Sequence, residues 1–226
     1  MTAFLQESTE SANRRIKFVL FTLALSVAWI FSSSFLGWGW VTAATITLII
    51  LSLNLLYIYR YRDLWLGHIL LFGLAAGWTE LLADRWLVEV TGTLTYAPGG
   101  PFVLRSPLYM PFAWANVLVQ LACLGWWLSN RFNLPLASLL IGLFGAVNIP
   151  LYEQWANGAN WWFYGNAHMI GNTPWYIIGG EFLIVLTLPA LMRLAQKAPA
   201  AWSPLLGIAQ GLWIWAAYAL AYALIG

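Results

Sequence analysis

The sequence predicts an all-α protein, a single polytopic bundle of about seven membrane-spanning helices. Three observations carry this. Hydrophobic residues fill 62 % of the 226 positions and charged residues only 8 %, against about 25 % charge in soluble domains. The mean hydropathy is +0.74. Seven apolar windows of about 20 residues follow one another, each long enough to cross the hydrocarbon core of a bilayer. No internal repeat or low-complexity tract divides the chain, so one domain is expected.

Residues 1–17 are polar, with Glu7, Glu10, Arg14, Arg15 and Lys17, and are expected to form a short frayed or interfacial arm ahead of a transmembrane domain over 18–226. The spans fall near 18–36, 40–58, 65–84, 108–128, 135–155, 175–193 and 205–225. Gly37-Trp38-Gly39 makes a minimal turn between the first two, and Arg60 to Asp63 joins the second to the third. Asn130 to Asn133 joins the fourth to the fifth, which Pro135 starts, and Arg193 to Pro204 precedes the last. No small-residue cleavage site separates the first span from the second, so the first helix is expected to remain as an anchor. The single Cys123 lies in an apolar run, so neither a disulfide framework nor a cysteine metal site is expected.

Basic residues predict the orientation. With the N-terminus inside, eight of the ten lie on the cytoplasmic side: Arg14, Arg15, Lys17, Arg60, Arg62, Arg131, Arg193 and Lys197. Arg85 and Arg105 lie outside. Seven spans then give an N-in, C-out, multi-pass protein of a plasma, inner or thylakoid-type membrane.

The acids run the other way. Glu80, Asp84, Glu89, Glu153 and Glu181 belong to the outer halves of spans three, five and six or to the outer connections. The aromatic cluster Trp155, Trp161, Trp162, Tyr164 and Trp175 lies there too, with His168. Gly73, Gly77, Glu80 and Asp84 recur at i, i+4, i+7 and i+11, which puts them on one helical face. Glycines on that face let a neighbouring helix approach closely, so the two carboxyls would point into the bundle. An ionisable group in a span is costly and marks a functional site by default. The plainer alternative leaves Glu80 and Asp84 solvated at the interface or paired with Arg85. For Trp38, Trp40 and Trp202 an interfacial aromatic belt is a sufficient explanation; for residues 160–164, beside Glu153 and His168, a pocket wall is as well supported.

Several chemistries are excluded. A retinal Schiff base needs a lysine inside a late helix, and the only lysines, Lys17 and Lys197, sit at cytoplasmic ends. Membrane di-iron enzymes need many histidines, and there are only His68 and His168, at opposite ends. No glycine-rich phosphate cradle or Ser-His-Asp set is present. No metal, cofactor or nucleic-acid partner is expected. What remains is a group of carboxyls in an apolar, aromatic-rich pocket open to the membrane. Desolvation favours the neutral form of a carboxyl, as a general acid requires. Aromatic faces stabilise a nearby cation. Together they suit protonation of an isoprenoid double bond.

Glu80, Thr91-Gly92, Tyr96, Gly100-Pro101, Pro107-Leu108, Pro111 and Ala113-Trp114 together resemble the first signature block of the carotenoid 1,2-hydratase family of integral membrane proteins (bisanhydrobacterioruberin and gamma-carotene hydratases). A weaker likeness runs from Pro150 to Glu181, with Glu153, a tryptophan pair and the turn from Gly171 to Pro174. Together they cover roughly a third of the chain. Thr93-Leu94-Thr95 stands where that family has a Gly-Phe-Gly turn, and the spacing from Glu80 to Gly92 is long, which leaves substrate and reaction open. The resemblance implies a lipid-soluble isoprenoid substrate, Glu80 as catalytic acid and Glu153 as second carboxylate. Asp84 and Glu181 follow on position, and Tyr96, Trp114, Trp162, Tyr164 and His168 would bind substrate.

Three readings follow. The first is acid-catalysed hydration of a terminal C=C bond. The second is a terpene or carotenoid cyclase using the same protonation step. The third is a non-enzymatic transporter or lipid-binding protein. Transport would require polar lining on both sides of the midplane, and the cytoplasmic half offers little beyond Asn54, His68, Asn116, Gln120 and Gln210. One-sided polarity favours a blind pocket over a conduit.

Overall fold

A computed structural model describes residues 9–226. Glu7 of the expected arm lies outside them. The helices are α1 (Thr9–Leu36), α2 (Trp40–Tyr61), α3 (Leu64–Trp86), α4 (Met110–Ser129), α5 (Leu134–Gly158), α6 (Trp175–Leu186), α7 (Leu188–Lys197) and α8 (Trp202–Ile225). With α6 and α7 counted as one span, seven segments are long and apolar enough to cross a membrane. The protein is an all-α, multi-pass bundle.

The helix α3 is its axis. It packs between α4 and α8, and both contacts depend on glycine. A methyl group at Gly77 would overlap the carbonyl of Pro111 on α4, and one at Gly207 of α8 would overlap that of Phe72 on α3. These close approaches turn the Gly73–Gly77–Glu80–Asp84 face towards protein, as its spacing predicts. Beyond Trp86 the helix widens into a π-helical turn, Leu87–Thr91, which Gly92 ends at a φ of 63°.

The polar arm differs from expectation. Helix α1 starts at Thr9, so Glu10, Arg14, Arg15 and Lys17 are helical. Arg15 is only 2 % exposed. Its Nε and Nη2 donate to the two carboxylate oxygens of Asp63, each at 2.8 Å. Asp63 Oδ1 also accepts from the backbone N–H of Leu66, capping α3. That buried bidentate pair fixes the start of α1 against the start of α3.

The sixth span is also less simple than its hydropathy. It breaks at Thr187, between α6 and α7. Pro189 has no N–H, and its ring opposes the carbonyl one turn earlier. Gln210 of α8 repairs the gap: its Nε2 donates to the Ile184 carbonyl at 3.0 Å, and its Oε1 accepts from the Thr187 hydroxyl at 3.1 Å.

At the other end of the bundle the two long connections carry short strands: β1 (Leu94–Tyr96), β2 (Phe102–Val103), β3 (Ser106–Pro107), β4 (Trp162–Tyr164), β5 (Met169–Ile170) and β6 (Thr173–Pro174). β2–β3 and β5–β6 are local hairpins. β1 and β4 pair antiparallel across 60-odd residues of chain, with Leu94 opposite Tyr164 and Tyr96 opposite Trp162. This pairing positions the site.

Replacing Asp63 with alanine removes the bidentate partner of a buried guanidinium and the cap of α3 together. A loss of about 3 to 5 kcal/mol is expected for breaking a buried pair, read as a lowered unfolding midpoint in detergent. A change below about 1 kcal/mol, the size of a surface pair, would contradict the account.

Candidate functional site

Four carboxyl groups lie buried at the strand-bearing end. Glu80 is 0 % exposed, Asp84 4 %, Glu153 7 % and Glu181 1 %. They come from α3, α5 and α6, so the bundle gathers residues a hundred positions apart.

Each is held differently. Asp84 Oδ2 accepts from the Tyr96 hydroxyl at 2.5 Å and the Ser106 hydroxyl at 2.7 Å. Glu153 Oε2 accepts from the Trp162 indole N–H. Glu181 Oε1 accepts from the Tyr218 hydroxyl at 2.5 Å, while its Oε2 has no partner. Neither oxygen of Glu80 has a partner of good hydrogen-bond geometry, although Asp84, Glu181 and the Trp114 indole lie close enough to act on it. The strand register explains two of these contacts. Tyr96 and Trp162 are directly opposed on β1 and β4, their rings 6.4 Å apart edge to face, and one pair of residues thus serves Asp84 and Glu153 together. Burial, followed by the nearby Asp84 and Glu80 carboxyls, pushes the Tyr96 phenol well above its ordinary range, so Tyr96 remains a donor.

Three of the carboxyls border a narrow cleft with a free volume of about 90 Å³. Asp84, Glu153 and Glu181 are on its wall with Tyr96, Trp114, Tyr152, Trp162, Tyr164 and Tyr218. No lysine, arginine or histidine lines it. A second lobe of similar free volume, about 90 Å³, adjoins it and shares Ala113, Val117, Tyr152 and Trp162. Among the described residues no three carboxylate, imidazole or thiol groups converge as a metal-binding set.

Of the residues singled out in the sequence, the cleft brings together Asp84, Glu153, Glu181, Tyr96, Trp114, Trp162 and Tyr164. Glu80 stands one helical turn from Asp84 but off the wall. His168 does not belong to the site. It is exposed beside Met169, Trp175 and the end of α8, and its carbonyl closes the β5–β6 hairpin by accepting from Trp175 N–H at 2.9 Å. The alternative pairing of the acids with Arg85 is also corrected. Arg85 and Arg105 both bind Glu89, at 2.6 and 2.5 Å, on the exposed surface. Tyr152, Ser106 and Tyr218 are functional candidates that the sequence reading missed. Tyr152 adjoins Glu153, which was a usable signal; Tyr218 is one of several aromatics in an apolar helix and carried none.

Residues 81–225 match the family model described as Domain of unknown function (DUF6989). No curated protein matches the chain, and no solved structure does. The matched segment includes Asp84, Glu153 and Glu181 and starts one residue after Glu80.

Tyr96→Phe leaves the shape of the cleft while removing one of the two donors to a buried carboxyl. A loss of about 1 to 3 kcal/mol is expected, measured as a lower unfolding midpoint in detergent. A midpoint equal to wild type would show that Asp84 does not depend on that phenol.

Proposed function

The chain belongs to the DUF6989 family, a domain of unknown function, and on that premise we propose that it is a membrane enzyme that protonates a C=C bond of an isoprenoid lipid and adds water to it. One observation carries the reading. Three carboxyls line a single cleft with a fourth behind them, the walls are aromatic, and no basic side chain is present to neutralise them. The resemblance to the carotenoid 1,2-hydratase family supports the same class of reaction.

Asp84 is the proton donor in this proposal, because it faces the cleft, and Glu80 is a positioning residue that shares its proton from one turn away. The alkene π pair forms a new C–H bond with that proton at the less substituted carbon, and a tertiary cation is left. The faces of Trp114 and Trp162 stabilise the cation. The oxygen of a water molecule then forms the C–O bond, and Glu153, the most exposed of the four acids at 7 %, takes the proton that water releases. One water is added in total, and the protein returns to its starting charge once a proton passes back to Asp84. The basic end of the bundle would face the cytoplasm, with the cleft in the outer half.

A second reading rests on the composition of the wall. Six aromatic side chains favour a cation that survives long enough to be captured by an internal alkene, which would make the protein a cyclase.

Expression in a host that accumulates acyclic carotenoids, both hydrocarbon and hydroxylated at one end, separates these readings. Wild type should yield pigment one water heavier, and Asp84→Asn should lower that product about 100-fold or more, as for loss of a general acid. An isomer of unchanged mass would replace hydration by cyclisation. Unchanged pigment with wild type would overturn both.

A further inference from the structure

A second lobe adjoins the acid-lined one and shares four lining residues with it. The second lobe runs from the shared residues Ala113, Val117, Tyr152 and Trp162 towards α1 and α2. Its character is different: the polar side chains there are neutral, among them Ser26, Thr47, Asn116 and Gln120. Most of these groups are satisfied within the protein. Asn116 accepts from Asn54 at 3.3 Å and donates to the Thr47 carbonyl at 2.9 Å, Gln120 donates to the Thr22 hydroxyl at 3.4 Å, and Ser26 donates to the Thr22 carbonyl at 2.9 Å.

Tyr109 is the exception. It lines this lobe, its residue is 8 % exposed, and its buried hydroxyl has no hydrogen-bond partner. A buried, unsatisfied hydroxyl is unfavourable and persists where something else completes it. Burial and the nearby Asp84 carboxyl push the phenol upward, so Tyr109 offers a proton and not a charge. No lysine, arginine or histidine lines either lobe. A phosphate or diphosphate would therefore face carboxyls with no cation to hold it.

We propose that the second lobe receives the far part of the substrate, and that this part carries an uncharged oxygen (a hydroxyl, carbonyl or ether) that accepts a hydrogen bond from Tyr109. This rests on the reading of the first lobe as the alkene-protonating site, and it narrows the substrate class. The substrate is a neutral, oxygen-bearing isoprenoid, neither a bare hydrocarbon nor a prenyl diphosphate.

Binding of tritiated geranylgeraniol to the purified full-length protein in detergent tests this, with the matching tetraprenyl hydrocarbon and geranylgeranyl diphosphate as competitors. The alcohol should compete about tenfold better than the hydrocarbon, the worth of one added hydrogen bond, and the diphosphate should compete poorly. Tyr109→Phe should reduce the affinity for the alcohol to that for the hydrocarbon, while hydrocarbon affinity stays the same and the unfolding midpoint stays the same or rises. A merely structural hydroxyl would instead lower the midpoint. Equal binding of alcohol and hydrocarbon to wild type, no effect of Tyr109→Phe, or effective competition by the diphosphate would overturn the inference. In those cases loss of turnover in Asp84→Asn would still leave the acid site standing. If neither alcohol nor hydrocarbon binds, both proposals fall.

Discussion

Four carboxyls are buried at one end of this bundle without a cation among them, and much of the structure at that end answers to this constraint. A carboxylate out of water needs either a countercharge or several hydrogen-bond donors, and failing both it takes up a proton. The chain supplies donors: two hydroxyls for Asp84, an indole for Glu153, a phenol for Glu181. Only Glu80 has none of good geometry. Two available arginines, Arg85 and Arg105, are turned outward onto Glu89. The acids are thus kept uncompensated in the same region where cations exist nearby, an arrangement suited to giving protons and unsuited to holding anions.

The opposite end follows the other rule. There a buried charge, Arg15, meets a full bidentate partner in Asp63, and Asp63 also caps a helix. Between the two ends, α3 carries both solutions on one element. Its first turn is fixed by an ion pair, its middle by glycine contacts to α4 and α8, and its last turns present the acids. Strain or displacement at Gly77 would therefore move Glu80 and Asp84 together, which links packing in the membrane directly to the chemistry of the cleft.

The helices were legible because hydropathy and length suffice to define a span. The inward face of α3 was legible because glycines and acids share a helical period. The gathering of Asp84, Glu153 and Glu181 was legible because charge segregates along the bundle axis, so acids of different spans had to meet at one end. Other features depend on contacts that no local pattern records. The helical start of α1 at Thr9 is stabilised by Asp63, 48 residues beyond Arg15. The break at Thr187 is repaired by Gln210, from another helix. His168 shares the polarity of its neighbours, but a hairpin turns it away. Tyr218 becomes part of the site only because α8 packs against α6. Spacing alone could not distinguish Asp84, on the wall, from Glu80, one turn away and off it.

The most direct test of the central claim is infrared spectroscopy of the protein in lipid at neutral pH, recorded in the region of the protonated carboxylic acid C=O stretch. Uncompensated burial predicts such a band in wild type, diminished in Glu80→Gln and diminished further when Asp84→Asn is added. Absence of any protonated-acid band would mean that all four groups are ionised, and the cleft would then be a site for cations and not a source of protons.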